Sequence, residues 1–232
     1  MRYVITMTHF RRPEYSKQVL DALRNCVGIE KYTIVAHVEP GGPAEVWDTV
    51  KSIDFAECVP VLNTSVLGIN MNTFEALRHG FSLSDVDFVI HIEDDTLPSK
   101  DALAYFEWGA ETYKADPEIL NISGFVRTTQ HQENPYLVHR IPYFSSWGWG
   151  TWRDRWEEPG GMLETWNDYA WDVHIYQAIR RDRKEISAYQ SRIQNIGRLG
   201  GTNMGSDYWE QWANVPAFIP DLEPGPYEEI LT

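Results

Sequence analysis

The sequence predicts one α/β domain with a largely parallel sheet covered by helices on both faces. Short apolar runs alternate with helical patterns through the first half, the order that builds parallel sheets. The 232 residues fit a single domain at roughly 150 residues per domain. With 43% hydrophobic and 23% charged residues, the composition is that of an ordinary globular chain and excludes a mostly disordered one.

Each element follows from its residues. Positions 2–8 read as a strand. Pro13 can open a helix at its first turn, and Val19, Leu20 and Leu23 repeat at helical spacing to about Asn25. Positions 31–38 are rich in β-branched residues and end at Glu39-Pro40-Gly41-Gly42, a strand closed by a turn. A short helix over 43–53, a strand over 57–62 and a helix over 71–81 follow, the last with Phe74, Leu77 and Phe81 on one face. Positions 88–92 form a continuous apolar strand broken only by His91, then come a helix over 101–115 and a strand over 119–126.

Beyond Val126 the pattern dissolves. Positions 128–142 read as a polar loop, 169–181 as a helix, 195–206 as a Gly- and Asn-rich loop, and 221–229 as an extended tail. Of ten tryptophans only Trp47 and Trp108 precede Trp147, so the second half has a different task from the first.

Charge and cysteines narrow the function. Twenty Lys and Arg against 34 Asp and Glu give a formal charge of −14, the wrong sign for a protein held on nucleic acid by phosphate contacts. Cys26 and Cys58 form no CxxC or Cys/His cluster, so neither a disulfide scaffold nor a zinc module is expected. No stretch approaches the roughly 20 apolar residues of a membrane helix, and the N-terminus is too short and polar for a signal peptide. A soluble, cytoplasmic protein is expected.

Glu93-Asp94-Asp95 directly follows the apolar strand at 88–92. Ligands of open α/β sheets collect at the carboxyl ends of strands, and neighbouring carboxylates repel unless a cation or a donor-rich ligand joins them. Mg²⁺ or Mn²⁺, which takes carboxylate and phosphate oxygens, suits such a group. The plainer alternative is a solvated turn whose acids cap the next helix. Glu39 ends the second strand along the same edge, where it could accept hydrogen bonds from a ribose or base, or be an ordinary loop acid. Arg11 and Arg12 follow the first strand, where a guanidinium fork could grip a diphosphate, or simply face solvent. His91, in mid-strand, reads as a core histidine.

Taken together these segments resemble the nucleotide-sugar glycosyltransferases of A-type fold, in particular the N-acetylglucosaminyltransferase I type and bacterial HlpA-like proteins. The likeness rests on Thr8-His9-Phe10-Arg11-Arg12-Pro13, Val38-Glu39-Pro40-Gly41, the run from Phe88 to Asp95 with Leu97-Pro98, Lys114-Ala115-Asp116-Pro117, Ile122-Ser123-Gly124, Ser146-Trp147-Gly148-Trp149-Gly150-Thr151-Trp152, Trp171-Asp172 and Asn195-Ile196-Gly197. Where some relatives carry a histidine after the last motif, this chain has Gly200-Gly201-Thr202-Asn203.

The resemblance implies a mostly parallel, Rossmann-like central sheet flanked by helices. It implies an enzyme that moves a sugar from a nucleoside-diphosphate sugar to an acceptor hydroxyl, with inversion and with Mn²⁺ or Mg²⁺. Asp95 would hold the metal, Asp94 would touch the sugar or ribose, and Glu93, Glu39 and Thr8 would line the nucleoside side with Arg12 near the phosphates or base. Residues 1–100 would bind the donor. Residues 101–232 would build the acceptor side and supply the base, Asp172, with Asp168 as second choice.

Trp147, Trp149 and Trp152 could stack the acceptor, or pack in the core with Gly148 and Gly150 permitting turns; a mixture is expected, some rings buried and at least one facing the acceptor cleft. Arg153, Asp154 and Arg155 read as a solvated helix face, and the basic run 180–184 as a solvated helix end or a phosphate contact. A glycan or lipid-linked glycan is the default acceptor, and a hydroxymethylated base in phage DNA an alternative; the missing anchor points to a bacterial or viral cytoplasmic enzyme. The rivals are a sugar nucleotidyltransferase and a non-catalytic sugar-binding module on the same fold.

Overall fold

A computed structural model of the protein describes residues 1–200, 206–215 and 217–230. Strands β1 (Tyr3–His9), β2 (Thr33–Val38), β3 (Glu57–Leu62) and β4 (Phe88–Glu93) lie in the order β4-β1-β2-β3, all parallel. In β1, β2 and β4 nearly every residue is buried, because both faces of the sheet are covered. Alternation divides the side chains between those faces. Ile5, Met7, Phe88, Ile90 and Ile92 meet helices α1 (Pro13–Arg24) and α2 (Ala44–Lys51), whereas Val4, Val35 and Val89 meet α3 (Gly68–Ser82) through Leu77 and Phe81.

After β4 the chain makes β5 (Thr96–Pro98), helix α4 (Ala102–Tyr113) on the α1 face, and β6 (Ile119–Ser123). Then come β7 (Leu137–Ile141), β8 (Trp149–Trp152), the short helices α5 (Arg153–Trp156), α6 (Met162–Thr165) and α7 (Trp171–His174), and β9 (Lys184–Ala188). β10 (Ile193–Asn195), α8 (Ser206–Tyr208) and β11 (Glu228–Glu229) complete the chain. The nine-stranded sheet continues from β4 through β8, β6, β9 and β7 to β11. β8 is antiparallel to both its neighbours, β4 and β6; β9 is parallel to β6, and β7 antiparallel to β9. Thus the mostly parallel sheet expected from the sequence is present, with an antiparallel strand driven into its middle.

Three expectations for the second half are corrected. The polar loop over 128–142 contains β7, a short, mostly half-exposed strand whose apolar residues are interrupted by His139 and Arg140. The basic run 180–184 begins as the expected helix end, with Arg180 capping a helical turn and Arg181 and Asp182 exposed, but Arg183 is tied to Glu158 (2.6 Å) and Lys184 opens β9. Arg153 and Arg155 do not form a solvated face. The Arg155 guanidinium is buried and donates to the carbonyls of Tyr113, Lys114 and Asp116 at the end of α4, and Arg153 donates to those of Val86 and Phe81. Carbonyls left over at a helix end need donors, and a guanidinium has five.

Candidate active site

The parallel register brings the ends of β1, β2 and β4 to one edge, where Thr8 lies opposite both His37 and Glu93. A cleft of about 1210 Å³ opens there. Thr8, Arg12, Glu39, Glu93, Asp94, Asp95, Trp147 and Asp172 all line it.

The acidic motif and Arg12 form one unit. Arg12 Nη1 donates to Asp95 Oδ2 (2.5 Å) and Nη2 to Asp94 Oδ1. Burial alone would lower the Arg12 guanidinium, but the charges of Asp94 and Asp95 outweigh it and hold it above its ordinary value. Burial pushes Asp94 up to about 7 against the pull of Arg12, and it raises Asp95 as well. Glu93 lies well above the usual carboxylate range, through burial first and then the charges of Asp95 and Asp94, with Asp172 adding to them. A second cation is therefore electrostatically favoured at this edge. Asp95 Oδ1 is buried with no partner, as an oxygen kept for such a cation would be. Among the described residues no three acidic, His or Cys side chains cage an ion on their own. That fits Mg²⁺ or Mn²⁺, which binds through one or two carboxylates and takes its other ligands from phosphate and water.

The turn after β10 seals this unit from the far side. Ile196 N donates to the Asp95 carbonyl (2.8 Å). A Cβ on Gly197 would lie 2.0 Å from Asp95 Oδ2 and 3.1 Å from Arg12 Nη1, so only glycine fits against the carboxylate. The segment Gly201-Thr202-Asn203, where relatives suggested a further ligand, lies outside the described residues.

Glu39 is buried, and both its oxygens accept the Leu67 amide (3.2 and 3.0 Å) just before α3. Three residues on, Asn70 accepts from Trp171 N (3.4 Å), donates to the Tyr169 carbonyl (3.2 Å) and offers its own carbonyl to Trp166 Nε1 (3.0 Å). Helix α3 therefore links the end of β2 to the start of α7, and so to Asp172. Asp172 is half-buried on the cleft, whereas Asp168 is exposed outside it, which favours the first as a base.

Of the tryptophan trio only Trp147 faces the cleft, with its ring edge-on to Phe125 at 4.8 Å. Trp149 and Trp152 are buried on opposite faces of β8 and are not available to an acceptor. Trp149 packs on Phe144 and Trp171, and Trp152 donates from Nε1 to the Ala110 carbonyl (3.0 Å). Gly150 between them leaves room for the Phe88 ring, 2.3 Å from where a Cβ would sit. His91 is buried beside Thr6 Oγ1 (3.1 Å), and burial lowers it to about 3, so it stays neutral.

Sequence reading missed His9, which lines the cleft with Nδ1 on Ser16 Oγ (3.0 Å), and it missed Glu185, Ser187, Tyr143, Tyr176 and Trp212 farther along. Glu185 and Ser187 occupy alternate positions of a short polar-apolar strand, a signal hidden by the basic run before it.

No protein-family model matches the chain. Over 128 residues it is 28% identical to alpha-1,3-mannosyl-glycoprotein 2-beta-N-acetylglucosaminyltransferase of Arabidopsis thaliana, covering 54% of this chain and 27% of that protein. Among solved structures it is similar to S. aureus TarS 1-349 in complex with UDP-GlcNAc (TM-score 0.64, 12% identity, 90% of this chain and 64% of that one). It is also similar to mannosyltransferase PcManGT from Pyrobaculum calidifontis in complex with GDP-Man and Mn²⁺ (TM-score 0.57, 18% identity, 80% and 54%). The chain thus spans about a quarter of the curated relative and less than two thirds of these solved chains. Its fold is that of the A-type nucleotide-sugar glycosyltransferases, and the resemblance read from its motifs is borne out to that extent.

Proposed function

We propose that the chain transfers a sugar from a nucleoside-diphosphate sugar to an acceptor hydroxyl, with a divalent cation and with inversion. The observation that carries this reading is the meeting in one cleft of the buried Asp95, with its unpartnered Oδ1, and of Asp172 from the other half of the chain. The fold shared with TarS and PcManGT, whose structures hold UDP-GlcNAc and GDP-Man with Mn²⁺, supports it.

Asp95 would hold the cation, which when bound supplies Lewis-acid stabilisation to the leaving diphosphate. Arg12, already drawn to this edge by Asp94 and Asp95, is placed to share its donors with phosphate oxygens. Thr8, Glu93 and Asp94 would face the nucleoside and sugar. Glu39 contributes first by fixing the Leu67 amide, and so the start of α3. Asp172 takes the proton of the acceptor hydroxyl as the acceptor oxygen bonds to the anomeric carbon. The bond from that carbon to the phosphate oxygen breaks at the same time, and its electron pair leaves with the diphosphate. Displacement from the far face inverts the carbon.

A panel of UDP-, GDP- and dTDP-sugars with Mn²⁺ or Mg²⁺, read by release of nucleoside diphosphate, tests the proposal. Release from one nucleotide class, abolished by chelation, is expected. No release from any sugar nucleotide, even by hydrolysis, contradicts it.

A further inference from the structure

The acceptor end of the cleft holds a polar group that the roles above leave unused. Along β9 the side chains alternate. Ile186 and Ala188 enter the core on the α4 side, and Glu185 and Ser187 take the other face and line the cleft. Both are only 1% exposed. Across the strands, Asn121 of β6 pairs with Glu185, and His139 of β7 with Ser187.

These side chains are short of partners. Glu185 Oε2 is held by Asn121 Nδ2 (3.1 Å) and by the Ser145 amide (2.8 Å). Glu185 Oε1, Asn121 Oδ1, Ser187 Oγ and His139 Nε2 are all buried without a hydrogen bond. Folded proteins rarely leave such atoms unsatisfied unless water or a ligand completes them. Here four of them gather on three adjacent strands. Asn121 Oδ1 and, when ionised, Glu185 Oε1 are acceptors, and a partner that completes them brings donors. A neutral hydroxyl-rich molecule does.

The rim adds a surface for stacking. Tyr143 is 52% exposed and Tyr176 37% exposed, with ring centroids 5.2 Å apart. The apolar face of a sugar ring suits such rings. The cleft carries six carboxylates, Glu39, Glu93, Asp94, Asp95, Asp172 and Glu185, against Arg11, Arg12 and Arg127, and Arg12 is already engaged. With Arg12 and a cation serving the donor diphosphate, a phosphate-rich acceptor would find few further cations on the lining.

We propose that Glu185 and Ser187, with Tyr143 and Tyr176 as the wall, form the seat of an uncharged acceptor sugar: its hydroxyls bond to Glu185 and Ser187, its ring lies against the tyrosines, and one hydroxyl is left for Asp172. This rests on the transferase reading and adds the acceptor class and the residues that select it.

Saturation-transfer NMR on the full chain with a set of neutral methyl glycosides (mannoside, galactoside, N-acetylglucosaminide) and mannose 6-phosphate tests it, alongside calorimetry with UDP and GDP. At least one neutral glycoside should bind, and mannose 6-phosphate should not exceed its unphosphorylated counterpart. Glu185→Gln should weaken that glycoside about tenfold or more, the scale of one lost hydrogen bond to a charged group, and Ser187→Ala about three- to tenfold, the scale of a neutral one; both should leave nucleotide binding within about twofold of wild type. Tyr143→Ala, an exposed change that leaves the buried network untouched, should weaken it too and keeps the test informative if a buried variant misfolds. Equal glycoside binding by wild type and all folded variants, no neutral glycoside bound, or preference for the phosphorylated sugar each overturns the proposal. A wild-type chain that binds no nucleotide would instead strike the transferase reading.

Discussion

The two ends of the cleft are built on opposite plans. At the proposed donor end most polar groups are engaged within the protein: Arg12 spans Asp94 and Asp95, Glu39 holds the Leu67 amide, and Asp95 Oδ1 is left open for a cation. Parallel strands buried on both faces fix the backbone beneath them. At the proposed acceptor end the sheet turns partly antiparallel, α7 passes straight into a π-helical turn at Ile175–Ile179, aromatic rings stand in solvent, and four buried polar atoms gather without partners. The first plan makes a rigid electrostatic cradle from one continuous stretch of chain. The second leaves unmet hydrogen bonds for something else to complete.

The comparison breaks most visibly at Asp172, the one acceptor-side residue assigned to the chemistry. Asp172→Asn should lower transfer by about 10²–10⁴, the usual contribution of a positioned base, and leave donor affinity within a few-fold. Steady-state turnover with calorimetry of the nucleotide sugar reads both, and NMR of the product should show the inverted anomer. Near-normal turnover or a retained configuration removes Asp172 from this role.

The donor half was legible in the sequence because its elements are local. A strand, a turn and a helix fit within some 30 residues, and each strand end fell where Thr8, Glu39 and Glu93 indicated. β9 and β10 are short and mix polar with apolar residues, so no apolar run announced them. A mixture of buried and cleft-facing tryptophans was legible, but not which ring is which. Aromatic residues serve cores and ligands alike, and alternation along β8 carried Trp149 and Trp152 to opposite buried faces.

That difference predicts separate outcomes for the trio. Trp149→Ala should cost about 3–5 kcal/mol of stability, the range for large buried aromatics, and affect every function equally. Trp147→Ala, half-buried at the cleft, should cost about 1–2 kcal/mol and act chiefly on acceptor use. Chemical denaturation and acceptor titration distinguish them; an unfolded Trp147→Ala beside a stable Trp149→Ala would reverse the packing described here.

Gly197→Ala probes the donor cradle. With a Cβ 2.0 Å from Asp95 Oδ2, either the turn or the carboxylate must shift. Overpacking of this kind costs about 1–3 kcal/mol, and it should appear as weaker Mn²⁺-dependent diphosphate binding in calorimetry. Unchanged binding would show that the turn yields freely.

The most gradual effect is the pH response of Glu185, which burial pushes up to about 7 from 4.5. The folded chain then holds that proton more tightly than the unfolded one. The associated stability is full below about pH 4.5, falls as pH rises to 7, and is flat above, with an upper limit on the order of 3 kcal/mol. Burial lowers His139 opposite, and the Arg180 charge reduces the shift of Glu185. Glu185→Gln should therefore gain stability relative to wild type between pH 5 and 8. Thermal melts across that range that run parallel for both proteins would refute the buried charge.

The central claim is tested most directly by calorimetric titration of UDP and GDP into wild type and Asp95→Asn, each with and without Mn²⁺. The account predicts that Mn²⁺ strengthens binding of one nucleotide in wild type and has no such effect in the variant, which keeps its fold. Binding that ignores Mn²⁺ in wild type, or an equal Mn²⁺ effect in both proteins, would contradict the assignment of Asp95 and of the acidic edge as the donor site.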